Sequence, residues 1–270
     1  ASLAGLPVVI LEETQPATLS CRASGYDPAQ VDPESINRAF EAEVKAGRLE
    51  YSDVSWNTAA ANVGNWLNKR GANAGHVHHI NARDSEGKTR LELKSRKSLL
   101  RLYRFLRRQP GLENLTIEHL SPECGVRDTA TIQGKKTVTV DDYCSGRLWN
   151  DAVCYSFYPI DLHTSTGGGL RCEPLREVLV PTVPRGALLP ARSSNFLVAG
   201  RCLSSDRLAN SALRVQATCM ATGQAAGAMA ALSVSEGLDP EDVPIETVHA
   251  LLRTYGAIVP ECTSTNTKAG

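Results

Sequence analysis

At 270 residues the chain exceeds the size at which single cores usually stop growing, roughly 250 residues, so one or two domains are open. Lys plus Arg is 29 and Asp plus Glu is 29; the formal charge of zero gives no footprint for nucleic acid or an anionic membrane surface. Hydrophobic residues at 42% exclude compositional disorder, and aromatics at only 5% beside 21 glycines point to a core of small residues and aliphatics.

Val8 to Leu11 and Ala17 to Cys21 predict two short strands around the polar turn Glu12-Glu13-Thr14-Gln15-Pro16. Asp32 as N-cap, Pro33 at the first helical position, Ile36, Phe40 and Val44 on one face and Gly47 at the end predict a helix. Residues 52 to 90, rich in Asn, Gly, Ala and Ser, show no clear period. His76, His78 and His79 lie there without a thiol or carboxylate at ligand spacing and read as loop residues. Ser95 to Gln109 places Leu99, Leu102, Tyr103 and Leu106 on one helical face and Arg101, Arg104, Arg107 and Arg108 largely on the other. That basic surface is either solvated or holds an anion, and Pro110-Gly111 ends the helix. Leu115 to His119, Thr129 to Ile132 and Thr137 to Val140 read as strands, the last two as a hairpin about Gln133-Gly134-Lys135-Lys136. Gly167-Gly168-Gly169 reads as a flexible turn or a mobile active-site segment. Asn195 to Ala199 predicts a buried strand opening at Gly200, and Ala212 to Ser233 a single long helix of small residues. A last helix runs from near Pro244 to before Gly256, followed by a polar tail over 263–270.

No two of the eight cysteines lie within five residues of each other, so the tight spacings of zinc ribbons and iron–sulfur clusters are absent. The expectation is no metal site and reduced thiols in a cytoplasmic protein. No basic leader and no apolar run long enough for a membrane span are seen. The first residue is Ala rather than Met, which reads as a processed product, a subunit or a fragment.

A strand, a glycine turn and a helix N-terminus make an anion site, because unpaired amides and the helix dipole both favour negative charge. Residues 195–218 supply these parts in order. The wording of Val198-Ala199-Gly200-Arg201-Cys202-Leu203-Ser204-Ser205 and of Ser211 to Gly227 resembles the carboxyl-terminal signature of the FAD-dependent oxidoreductase family. Upstream, Gln15-Pro16-Ala17-Thr18-Leu19, Gly125-Val126-Arg127-Asp128-Thr129 and Pro159-Ile160-Asp161-Leu162-His163 resemble further motifs of that family, in family order.

The resemblance implies an α/β chain: an α+β substrate domain and the returning part of a glutathione-reductase-like FAD-binding domain. It would divide into a linker or strand at 1–14, a substrate domain at 15–165, the carboxyl-terminal part of the FAD-binding domain at 166–262 and a tail. It implies FAD as cofactor, with Gly200 and Arg201 along the pyrophosphate and ribityl chain and the helix start near Ser211, Arg214, Val215 and Gln216 at the pyrimidine edge. Arg127, His163 and Arg214 become the catalytic candidates for hydride transfer between a small-molecule substrate and flavin N5. Structural roles compete: a salt bridge for Arg214, a buried ring for His163, and for Asp161 either orienting His163 or capping a turn. The G-x-G-x-x-G fingerprint of dinucleotide binding occurs nowhere in the sequence. The implied alternatives are therefore a separate amino-terminal FAD-binding chain that shares the site, or a non-catalytic binding module.

Overall fold

The computed structural model describes residues 1–164, 169–176 and 179–261. Gly167, Gly168 and the polar tail lie outside them. The described chain mixes helix and strand. In order it runs β1 (Val8–Ile10), β2 (Cys21–Ser24), α1 (Pro33–Lys45), α2 (Val63–Asn68), β3 (Gly71–Ala72), α3 (Ser85–Leu106), β4 (Thr116–Leu120) and β5 (Ala130–Ile132). It continues with α4 (Val140–Cys144), β6 (Ala152–Tyr155), β7 (Ile160–His163), β8 (Leu170–Glu173), β9 (Thr182–Pro184), α5 (Arg207–Leu213), α6 (Gln216–Glu236) and α7 (Ile245–Thr254). Two compact units result: residues 1–11, 130–162 and 172–270 form the first, residues 12–129 and 163–171 the second.

In the first unit β1 pairs antiparallel with β5, Val8 opposite Ile132, and β6 pairs antiparallel with β9. The expected hairpin at 129–140 does not form. Gly134 bridges Pro190 and Val138 bridges Ser205 instead, and a capping box of Thr139 and Asp142 starts α4 at Val140, the last residue of the second predicted strand. Asn195 to Ala199 belongs to no strand; Asn195 lies in a bend and Val198 donates its amide to Leu188 O at 2.9 Å. The single helix expected over 212–233 is two. α5 ends at Leu213, Arg214 and Val215 form the break, and α6 restarts at Gln216. The core is aliphatic, with Val183, Leu188, Leu203, Leu213, Met229 and Leu252 among its members.

In the second unit the sheet order is β3-β2-β4, all antiparallel, with a register irregularity at Arg22/Ala23. The Ala17 to Cys21 strand is displaced: β2 begins only at Cys21, while Ala17 and Thr18 make single bridges to Val77 and Gly125. The first helix forms as read, with Asp32 accepting from the amides of Glu34 and Ser35 and Ile36 and Phe40 buried. α3 starts ten residues earlier than its apolar face suggests, because Asp84 caps it by accepting from Gly87 N at 2.7 Å and its first turns are polar. Phe40 and Phe105 meet edge to face at 5.6 Å and join α1 to α3. Arg101 makes two bonds to buried Asp53, 2.7 and 2.6 Å, fixing α3 to the turn at 51–53. Among the described residues no helix is long and apolar enough to cross a membrane.

Candidate functional site

Three sequence motifs meet in one hydrogen-bonded network of the second unit. Gln15 donates its backbone amide and its Nε2 to the two carboxylate oxygens of Asp128, each at 2.8 Å. Its Oε1 accepts from His163 N at 3.1 Å. Thr18 and Gly125 exchange backbone bonds of 3.1 and 2.8 Å. Arg127 Nη1 donates to Pro16 O and, at 3.1 Å, to the Thr18 hydroxyl. The residues 15–18, 125–128 and 163, up to 148 positions apart in sequence, are thus held at one place by buried bonds.

Arg127 Nη2 lies 3.4 Å from His76 Nε2. A guanidinium only donates, so Nε2 accepts and the His76 proton sits on Nδ1. His76 is 2% exposed, and burial, reinforced by Arg127, drives its pKa down to about 2. Burial, with His79 and Lys94, likewise lowers His78 to about 4. The rings of His76 and His163 are 4.9 Å apart, His76 and His78 are 5.8 Å apart, and Trp56 packs on both His76 and His163. The histidines at 76 and 78 are loop residues as read, yet buried beside His163, which their spacing gave no sign of. Trp56 was missed too, because nothing periodic surrounds it. Gly169 closes the Trp56 side: it has φ of 76°, and a Cβ there would fall on the Trp56 carbonyl oxygen. Among the described residues no group of three or more His, Cys, Asp or Glu is arranged to hold a metal.

The remaining candidates belong to the first unit. Arg214 Nη2 donates to Asp161 O at 2.9 Å and lies 3.3 Å from Asp161 Oδ2. Asp161 N donates to the Ser211 hydroxyl, which donates in turn to Leu208 O. Ser211 is therefore fully buried and bonded within the protein, and Asp161 anchors Arg214. Arg214 is the C-cap of α5, so this anchor lies at the break between α5 and α6. Val215, the N-cap of α6, has no side-chain oxygen to cap with, so the first amides of a 21-residue helix stay open beside exposed Gln216. The turn Gly200–Cys202 packs against this start: Gly200, at φ of 71°, donates its amide to Thr222 Oγ1 at 3.0 Å, and Arg201 is exposed. Asn210 spans the turn, donating to Arg201 O and Ser205 Oγ, while its buried Oδ1 accepts from no group among the described residues.

An open helix start, a positive-φ glycine and two arginines are what a negatively charged cofactor needs. The sequence profile of the FAD dependent oxidoreductase family matches residues 1–252. The chain belongs to the FAD dependent oxidoreductase family, and FAD is its cofactor. No curated protein and no solved structure matches the chain. The residues at the start of α6 fit the group, since uncapped helix amides suit anionic oxygens of the sort FAD carries.

Proposed function

We propose that the chain catalyses hydride transfer between a small organic substrate and flavin, on a glutathione-reductase-like scaffold. FAD, when bound, supplies a two-electron acceptor or donor at N5. The first unit serves the cofactor. Gly200 lets backbone approach closely, Arg201 pairs with phosphate, and the amides of Val215 and Gln216 with Arg214 stabilise negative charge on the pyrimidine side. Ser211 acts at one remove, by holding Asp161 and through it Arg214. The second unit, which keeps residues 15–129 of the substrate domain read from sequence, serves the substrate. Arg127 orients an acceptor group on the substrate, and His163 moves the proton that accompanies hydride. His76, neutral over the physiological range, holds Arg127 without competing for that proton.

The observation that carries this reading is the convergence of the three motifs on Arg127 and His163. The test is anaerobic bleaching of the flavin band by a panel of small alcohols, amines and hydroxy acids. With a substrate found, His163→Asn should slow bleaching by about 100-fold or more, the usual scale of lost acid–base catalysis, with thermal unfolding unchanged. Unchanged bleaching in the variant would remove His163 from the chemistry.

A further inference from the structure

The stretch from Ser95 to Arg108 holds six cations (Arg96, Lys97, Arg101, Arg104, Arg107 and Arg108) and no acidic residue. Of these, Arg101 is tied to Asp53 and Glu50. Arg96, Leu99, Leu100, Tyr103 and Arg107 share one side of α3 at helical spacing. That side is clipped to both ends of β4. Arg96 Nη2 donates to Pro122 O at 2.8 Å, just past the strand, and Arg107 Nη1 donates to Leu115 O at 3.3 Å, just before it. Beside the Arg96 contact lies a groove of about 460 Å³ lined by Arg96, Leu99, Leu100, Tyr103, Ile117 and Leu120. Leu100 is 46% exposed at its wall. β4 pairs with β2 on one edge, and among the described residues no strand covers the other.

We propose that this groove docks an extended segment of another protein, added as a strand to β4, with apolar side chains in the groove and acidic residues toward the end beside Arg104, Arg107 and Arg108. The free edge of β4 offers main-chain hydrogen bonds, the groove selects alternate apolar side chains, and the basic helix above it selects charge. The acidic groups nearby do not reverse that charge. Glu92 is bound by Arg96 at 3.1 Å and by the Cys124 amide, and Glu118 on β4 lies 3.7 Å from Arg22. Glu92 offsets Arg96 in turn, so the excess positive charge beside the groove comes from Arg104, Arg107 and Arg108 at one end of it, and an acidic segment is the complement.

The experiment pans a library of random displayed decapeptides against the full chain. The enriched consensus is then synthesised with a fluorophore and titrated by anisotropy. The expected consensus alternates apolar and polar positions and carries Asp or Glu at one flank. Its affinity should fall at least tenfold in Leu100→Glu, a few-fold in Arg104→Glu, and further with added salt. Circular dichroism verifies each variant's fold; should Leu100→Glu unfold, the exposed Arg104→Glu still reads the charge requirement. No enrichment, a basic consensus, a helical i, i+4 consensus, or equal binding to both variants would overturn the proposal.

Discussion

At the start of α6 the polar groups are backbone amides left open to an incoming anion, whereas around Arg127 they are side chains sealed against one another. The first arrangement suits a ligand that completes the hydrogen bonding. Val215 contributes no cap, and Gly200 leaves room for a close approach. The second suits orientation. Gln15, Asp128, Thr18 and His76 are all buried, and between them they fix the direction of Arg127 and the backbone of His163. An open site depends on its ligand for satisfaction, while a sealed one meets its costs at folding and is the more sensitive to substitution.

The sharpest way to break this contrast is Asp128→Ala. It strands two buried donors of Gln15, and at about 2 kcal/mol each the loss should approach 4 kcal/mol in urea unfolding. Asp128→Asn, which keeps one acceptor in place, should recover about half. A change below about 1 kcal/mol in Asp128→Ala would show that the network is not sealed.

Acid gives the next largest effect. His76 and His78 bind protons far more weakly folded than unfolded, with folded pKa values of about 2 and about 4 against an unfolded value near 6.5. Below pH 6.5 the unfolded chain therefore takes up protons that the folded chain refuses, and stability falls as pH falls. At pH 5 each ring should cost about 2 kcal/mol relative to pH 7.5. Urea unfolding of His76→Phe and His78→Leu should show a shallower acid slope than the parent; identical slopes would place both rings in contact with water.

On α6 the sign reverses. A Cβ at Gly223 or Gly227 would meet nothing within 4 Å, so each Gly→Ala should raise stability by about 0.5–1 kcal/mol through the unfolded chain's lost freedom. A drop in melting temperature would mean that this helix face is covered in the folded protein.

What the sequence disclosed follows the same division. Helix α1 was legible because its signals are local: the Asp32 cap, Pro33 and a clear apolar face. The last helix was legible for similar reasons, with Val248 and Leu252 buried as its spacing implies. The break at Arg214 and Val215 was not, since no proline or glycine marks it and the hold on Arg214 comes from Asp161, 53 positions away. The 129–140 hairpin failed because each arm found a distant partner: β5 pairs with β1, and Gly134 and Val138 bridge Pro190 and Ser205. Arg127 and His163 were found through motif wording, but their neighbours His76 and Trp56 became visible only when the chain brought distant loops together. Pattern reading sees periods of two and 3.6 residues; it has no access to partners 50 or 100 positions away.

The most direct measurement is a titration of FAD fluorescence with the intact chain and with Gly200→Val, whose branched side chain both opposes the positive φ and fills the approach beside Cys219. Saturable quenching by the parent, weakened at least tenfold in the folded variant, is the result expected if the Gly200–Cys202 turn and the start of α6 hold the cofactor. No saturable quenching by the parent, or equal quenching by both, would contradict that assignment.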